Sequence, residues 1–284
     1  MQALVNGIER DSISIADRAV LYGDSLFETV AVRGRQALLL DLHLERLARS
    51  AKQLQIHYDH QQLLTEIQQL LGNNIIDSEQ DTSVLRITLS RGAGGRGYQP
   101  STDLEGTRIV SLHEAPQYPA HYQTEGITLG LSELRLAKQS ALAGLKHGNR
   151  LEQVLASMDI AADSQDVILR DHEEHIICCS KANLFALIDD TWVTPDLSEC
   201  GINGVMRTKI QALAATHKLP FATSNTMTLT DLRNAKALFI SNSLIGVWPV
   251  KRLLTNGNDC FVQQYTTRDC AIIQQHLAAA GCIL

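Results

Sequence analysis

The segment Pro116-Gln117-Tyr118-Pro119 limits the folding of this chain more than any other feature. Two prolines three apart fix two φ angles and remove two backbone donors, so the segment suits neither a helix interior nor a central strand. The chain has 284 residues, a length at which one hydrophobic core gives way to two bodies of roughly 110 to 160 residues each. The sequence therefore predicts a smaller N-terminal lobe over 1–115, a linker over 116–125 and a larger C-terminal lobe over 126–284. Chemistry is expected in a cleft between such lobes.

Within the first lobe, β-like runs over 26–32 and 37–40 flank a hairpin turn at Arg33-Gly34-Arg35-Gln36. Helices are expected over 42–56, with Leu44, Leu47, Ala48, Ala51 and Leu54 on one face, and over 61–71. Strands over 84–89 and 108–112 bracket the Gly-rich stretch Arg91 to Tyr98. In the second lobe, strands are expected over 127–136, 167–170, 176–179, 184–188, 191–193, 237–241 and 247–253. Helices are expected over about 150–162, 205–219 and 268–280. Hairpins mixed with helices give an α+β class rather than a doubly wound parallel sheet.

The charge balance narrows the partners. Lys and Arg number 25 against 31 Asp and Glu, a formal charge of −6, and the basic residues form no block. Phosphate neutralisation needs a positive field, so nucleic-acid binding is not expected. No apolar run approaches spanning length and no signal-like segment opens the chain, which predicts a cytoplasmic protein with no membrane partner. Six cysteines without a C-x-x-C fit reduced thiols, and scattered histidines give no metal site.

Among eight lysines, Lys146 has the least usual setting, between a strand and a helix in Ala143-Gly144-Leu145-Lys146-His147-Gly148-Asn149-Arg150. A lysine near apolar neighbours can lose part of its charge, as Schiff-base chemistry requires; on local sequence alone, a solvated lysine in a turn is the commoner reading. Gly201-Ile202-Asn203-Gly204 precedes a helix whose first amides, at Val205 and Met206, can face an anion. Asn242 and Ser243 end an apolar strand and offer further donors. Arg46 lies off the apolar face of its helix, which reads locally as a solvent-facing arginine. Arg91 and Arg96, set among glycines, can clamp carboxylates, or the loop is a hairpin tip. Phe27 and Tyr98 either line a substrate pocket or serve packing.

Taken in order, Asn6-Gly7, Asp17-Arg18, Tyr22 to Thr29, His43 to Leu47, Gly144 to Gln153, Ala182 to Phe185, Gly201 to Arg207 and Asn242-Ser243 resemble the fold-type IV family of pyridoxal-phosphate enzymes. The resemblance implies a two-domain, D-amino-acid-aminotransferase-like α+β fold with pyridoxal 5'-phosphate between the lobes, usually in a homodimer. It implies that Lys146 holds the cofactor covalently and acts as the catalytic residue. Arg46, Val205, Met206, Asn242 and Ser243 would bind its phosphate. The Gly-rich loop and the run Lys146 to Gln153 look like those of the family's lyase branch. That likeness implies conversion of 4-amino-4-deoxychorismate to 4-aminobenzoate and pyruvate, a step of folate synthesis, with Phe27, Arg91, Arg96 and Tyr98 around the dicarboxylate substrate. D-amino-acid or branched-chain transamination on the same fold, or cofactor binding with impaired catalysis, are the alternatives.

One position departs from the family. A glutamate stands against the pyridine nitrogen five residues before the asparagine of Asn183-Leu184-Phe185, and here that position is Cys178. A thiol of ordinary pKa near ~8.5 is a poorer partner for a protonated ring nitrogen than a carboxylate. Either Glu173 or Glu174 reaches in from the adjoining hairpin turn, or water or the cysteine serves, or activity is impaired.

Overall fold

The computed structural model describes residues 2–73, 81–95, 97–101, 104–255 and 261–283. Arg96 lies outside these residues. Two compact units emerge, one holding the chain to Pro116 together with Leu145–Asn149, the other Gln117–Gly144 with Arg150–Ile283.

The first unit runs β1 (Gln2–Val5), β2 (Ile8–Glu9), α1 (Arg18–Tyr22), β3 (Ser25–Arg33), β4 (Gln36–Ala37), α2 (Leu40–Leu54), α3 (His60–Asn73), β5 (Thr82–Ser90) and β6 (Thr107–Glu114). Its strands form one antiparallel sheet in the order β2-β1-β6-β5-β3-β4. Alternation along the strands sorts the side chains. Leu26, Val30 and Val32 of β3 and Leu85, Ile87 and Leu89 of β5 join Leu44, Leu47 and Ala51 of α2 and Leu63, Ile67 and Leu70 of α3 in one core. Phe27, Thr29, Arg86 and Thr88, at the intervening positions, belong to the other face of the sheet.

The second unit runs α4 (His121–Thr124), β7 (Ile127–Leu136), α5 (Leu151–Met158), β8 (Asp166–Asp171), β9 (Ile176–Cys179), β10 (Asn183–Ile188), β11 (Thr191–Pro195), α6 (Val205–Thr216), β12 (Phe221–Ser224), α7 (Leu229–Asn234), β13 (Ala237–Asn242), β14 (Gly246–Thr255), β15 (Phe261–Gln264) and α8 (Ala271–Ala279). Its mixed sheet follows β12-β11-β10-β13-β14-β7-β8-β9, with β15 against β14. Among the described residues, the parallel pairs are β11/β12, β14/β7 and β7/β8.

The short elements α1, β12, β15 and α7 were not legible in apolar periodicity. α7 is instead set by a capping box, in which the Thr228 hydroxyl meets the Asp231 amide and the Asp231 carboxylate takes the Thr228 amide. The helix expected over about 150–162 is shorter. It stops at Met158, with Ala156 as its one buried residue, while Leu151, Val154, Leu155 and Met158 stay exposed on it. The expected terminal helix begins with a 3-10 turn, Arg268–Cys270, before α8. Among the described residues no helix is long and apolar enough to cross a membrane.

Candidate active site

Lys146 is fixed by backbone bonds to β3. The amide of Phe27 donates to the Lys146 carbonyl at 2.9 Å, Leu26 bridges His147, and the Gly148 amide donates to the Ser25 carbonyl at 2.7 Å. This approach explains Gly148: a Cβ there would strike the Ser25 hydroxyl and come within 2.9 Å of the Gly23 carbonyl oxygen. The sequence placed the lysine in the second lobe, but these hydrogen bonds group Leu145–Asn149 with the first unit. β3 lies between this stretch and β5. The Lys146 Nζ stands 4.4 Å from the Phe27 ring centroid, and the Arg86 guanidinium carbon stands 3.9 Å from the same centroid.

On the core face of β3, Glu28 occupies a position that strand alternation would fill with an apolar residue. Its carboxylate accepts from Arg46 Nε at 2.8 Å, from Arg46 Nη2, and from His43 Nδ1 at 2.6 Å. All three side chains are buried. Burial alone would raise the Glu28 pKa, but the hydrogen bonds from His43 and Arg46 prevail and hold it below the ordinary carboxylate value. Burial also outweighs Glu28 at His43 and keeps that imidazole below its ordinary value. A neutral ring facing a carboxylate must carry its proton on Nδ1, and Nε2 is buried without a hydrogen-bond partner among the described residues. The solvent-facing reading of Arg46 is thus corrected: it turns inward because Glu28 is there.

Arg91 requires a second correction. Its Nε and Nη2 grip Asp24 at 2.7 and 2.9 Å, Nη1 donates to the Gln55 carbonyl and Nη2 to the Leu54 carbonyl, both at 2.8 Å. The guanidinium caps the carboxyl end of α2, so it is not a clamp for a substrate. Asp24 also takes Arg18 Nε at 2.8 Å, and the two arginines pull its pKa down against the rise from burial. Tyr98 is exposed and its ring meets Tyr22 at a tilt, its carbonyl held by Arg18. It does not reach Phe27 or Lys146 through any contact among the described residues.

In the second unit, the loop before α6 is tied in two ways. Asn183 Nδ2 donates to the Ile202 carbonyl at 3.0 Å, and Gly144 pairs with Ile202, two residues before Lys146 in the chain. Gly204 is the extended N-cap of α6 and brings no side-chain cap, which leaves the first-turn amides at Val205 and Met206 for an outside acceptor. A Cβ on Gly204 would collide with the Asn183 amide oxygen. Beside Asn183 in the sheet stands Ser241, whose buried hydroxyl has no hydrogen-bond partner among the described residues. Asn242 shapes the adjoining turn: its Oδ1 accepts from the Leu244 and Ile245 amides and its Nδ2 donates to the Lys181 carbonyl. Ser243 sits in that turn.

Cys178 lies in an apolar cluster with Leu136, Val167, Leu169, Ile177, Leu197 and Cys200. Burial, with Cys200 and Asp166 adding to it, pushes its thiol far above the ordinary range, so it stays neutral. Neither hairpin glutamate substitutes for the expected carboxylate. Glu174 is paired with Arg135 and Arg170, and Glu173 with Lys138, at the turn between β8 and β9. Lys138 also meets Asp171 and Glu199, and so places a cation among the acids there.

The family model for amino-transferase class IV matches residues 25–253. An aminodeoxychorismate lyase of Vibrio harveyi is 35% identical over 258 residues, covering 89% of this chain and 92% of that relative. The crystal structure of 4-amino-4-deoxychorismate lyase from Pseudomonas aeruginosa is 34% identical and superposes with a TM-score of 0.87 over 98% of both chains. The branched-chain amino acid aminotransferase of Escherichia coli shares the fold at 20% identity and a TM-score of 0.80, over 96% of this chain and 92% of that one.

Proposed function

The chain belongs to the amino-transferase class IV family, and on that premise we propose that it converts 4-amino-4-deoxychorismate to 4-aminobenzoate and pyruvate with pyridoxal 5'-phosphate. The observation that carries the reading is the presentation of Lys146 beside Phe27, on the sheet face opposite α2 and α3, in a chain similar along most of its length to such lyases.

The residues fit this cofactor at two of its three polar handles. Lys146 is fixed along its backbone, and its amine lies 4.4 Å from the Phe27 ring centroid. For the phosphate, the uncapped amides of Val205 and Met206 and the turn at Asn242 and Ser243 supply donors, and the orphaned Ser241 hydroxyl adjoins them. The family resemblance assigns Arg46 to the same phosphate; Glu28 holds its guanidinium, and His43 in turn holds Glu28. At the third handle, the ring nitrogen, Cys178 offers a neutral thiol.

The cofactor, when bound, supplies an aldehyde for the substrate amine and a conjugated ring that accepts electrons. The chain's own part is proton movement and orientation. The Lys146 amine takes the proton from the ring carbon that bears the substrate amine. Loss of that proton lets the enolpyruvyl group leave and the ring become aromatic. No second amino acceptor is required, which separates this chemistry from transamination.

Two finer assignments complete the proposal. The exposed stripe Leu151, Val154, Leu155 and Met158, three and four residues apart on α5, favours a homodimer. A cytoplasmic location is favoured by the described cysteines, all free thiols.

Purified protein given aminodeoxychorismate is expected to release 4-aminobenzoate and pyruvate, and to show little amino transfer from D-alanine to 2-oxoglutarate. Lys146→Ala is expected to lower lyase turnover by about 10²- to 10⁴-fold and to abolish the visible absorbance of the lysine-bound cofactor. Undiminished turnover in this variant would overturn the role of Lys146. Transfer from D-alanine without 4-aminobenzoate would replace the lyase reading.

A further inference from the structure

The first unit holds its inward arginines in pairs. Arg46 is bound to Glu28, Arg18 and Arg91 to Asp24, and Arg108 to Glu66 with Gln62. Arg86 differs. It is half-buried on the sheet face opposite α2 and α3, and it makes no hydrogen bond or ion pair among the described residues. The Phe27 ring lies 3.9 Å from its guanidinium carbon, and at longer range it feels the charge of Glu28. A guanidinium withdrawn from water without an anion is costly, and an arriving carboxylate offsets that cost.

The ring that carries Arg86 also carries Lys146. The lysine amine and the guanidinium both lie within 4.4 Å of the Phe27 centroid, with the β3 backbone between the strand that bears one and the stretch that bears the other. The amine and the guanidinium therefore share one aromatic ring as a common neighbour, which keeps an anion receptor within reach of a small ring compound held at the amine. In 4-amino-4-deoxychorismate the amine and the ring carboxylate sit on opposite carbons of a six-membered ring, at a fixed separation. The second carboxylate hangs from a rotatable ether and has no fixed place.

We propose that Arg86 is the receptor for the ring carboxylate of the substrate, with Phe27 setting the spacing between Arg86 and Lys146. The assignment rests on the lyase reading above, and it replaces Arg91, whose guanidinium is bound to Asp24 and the end of α2. Arg86 forms and breaks no covalent bond. It binds the carboxylate through charge-assisted hydrogen bonds, and 4-aminobenzoate keeps the same group as product.

The test uses the holoenzyme, R86Q, and R86M, which keeps the methylene cover over Phe27 and serves should R86Q lose its fold. Calorimetry compares 4-aminobenzoate with its uncharged amide, 4-aminobenzamide. Wild-type protein is expected to prefer the acid by roughly tenfold or more, and the variants to bind both alike while keeping the cofactor absorbance and thermal midpoint of wild type. KM for aminodeoxychorismate is expected to rise roughly 10- to 100-fold with a smaller change in kcat. A wild-type protein that binds acid and amide equally, or a variant that keeps the preference and the KM, overturns the proposal. Failure of wild type to form 4-aminobenzoate defeats the lyase reading separately, because the binding comparison still reads Arg86 by itself.

Discussion

The two units treat buried titratable groups in opposite ways. In the first, a carboxylate is kept ionised by partners brought to it: Glu28 lies between Arg46 and His43, and Asp24 between Arg18 and Arg91. In the second, the group is left neutral or pushed towards neutrality. Cys178 and Cys179 are held as thiols, and Asp166, with hydrogen bonds on one oxygen and none on the other, has its pKa raised chiefly by burial. The second unit keeps its paired acids at the rim, at the exposed β8–β9 turn. Pairing fixes a geometry at the risk of stranding a charge; neutrality avoids that risk and gives up the charge.

The largest expected effect follows from removing the centre of the paired region. Glu28→Ala leaves Arg46 and His43 buried without their acceptor, and should cost about 3–5 kcal/mol of stability. In the second unit, Cys178→Ala removes one neutral group from an apolar cluster and should cost about 1 kcal/mol. Denaturant unfolding of the two variants measures the difference. Equal losses would show that the Glu28 group is no more than packing.

The dependence of stability on pH separates the units by sign. Glu28, lowered from its ordinary 4.5, contributes stability above that value that is lost as pH falls through its folded pKa. His43, lowered from 6.5, takes its proton more readily when unfolded, so acidification below 6.5 favours unfolding. The first unit therefore loses stability on the acid side, with the raised Asp166 opposing it because the folded state holds that proton longer. Cys178, raised from 9.0, ionises first in the unfolded chain, so its share is lost as pH rises above 9. Thermal midpoints between pH 5 and 10 are expected to show a shallower acid limb in His43→Asn and a shallower alkaline limb in Cys178→Ala. Exchange of these two outcomes would contradict both assignments.

Much of this was visible in the residues, and what was hidden shares a cause. Strand alternation over 84–89 and the apolar face of α2 mark the core of the first unit directly. The inward Arg46 was readable only through Glu28, an acid in register with Leu26 and Val30 on β3, since a buried carboxylate demands a cation. Arg91 looked like a loop clamp because its true partners, Asp24 and the carbonyls of Leu54 and Gln55, are far away in sequence. Arg86 carried no local signal: an arginine between Leu85 and Ile87 reads as the solvated side of a strand. The unit to which Lys146 belongs was hidden for the same reason, since its bonds run to Phe27 and its neighbours on β3. Periodicity reports which face a residue takes, while pairing across the sheet decides what it meets there.

The smallest effect is expected where the contrast between the units bears on catalysis. Cys178→Glu would give the second unit the kind of group the first unit pairs, at the position assigned to the cofactor's ring nitrogen. Arg150 is the nearby cation that acts on the Cys178 site, with Asp166 and Glu152 acting against a negative charge there. A transaminase depends on the ring to store an electron pair until a proton returns, so a carboxylate at this site would matter greatly to it. In the proposed lyase reaction the electrons leave with the enolpyruvyl group and the ring gains aromaticity, which lowers the demand on the nitrogen partner. Lyase turnover in Cys178→Glu is therefore expected to stay within about tenfold of wild type, under roughly 1.4 kcal/mol in the barrier, while the visible absorbance of the bound cofactor shifts. A rise of several orders of magnitude would mean that the neutral thiol limits the chemistry, and that the second unit's way of leaving buried groups uncharged carries a catalytic cost.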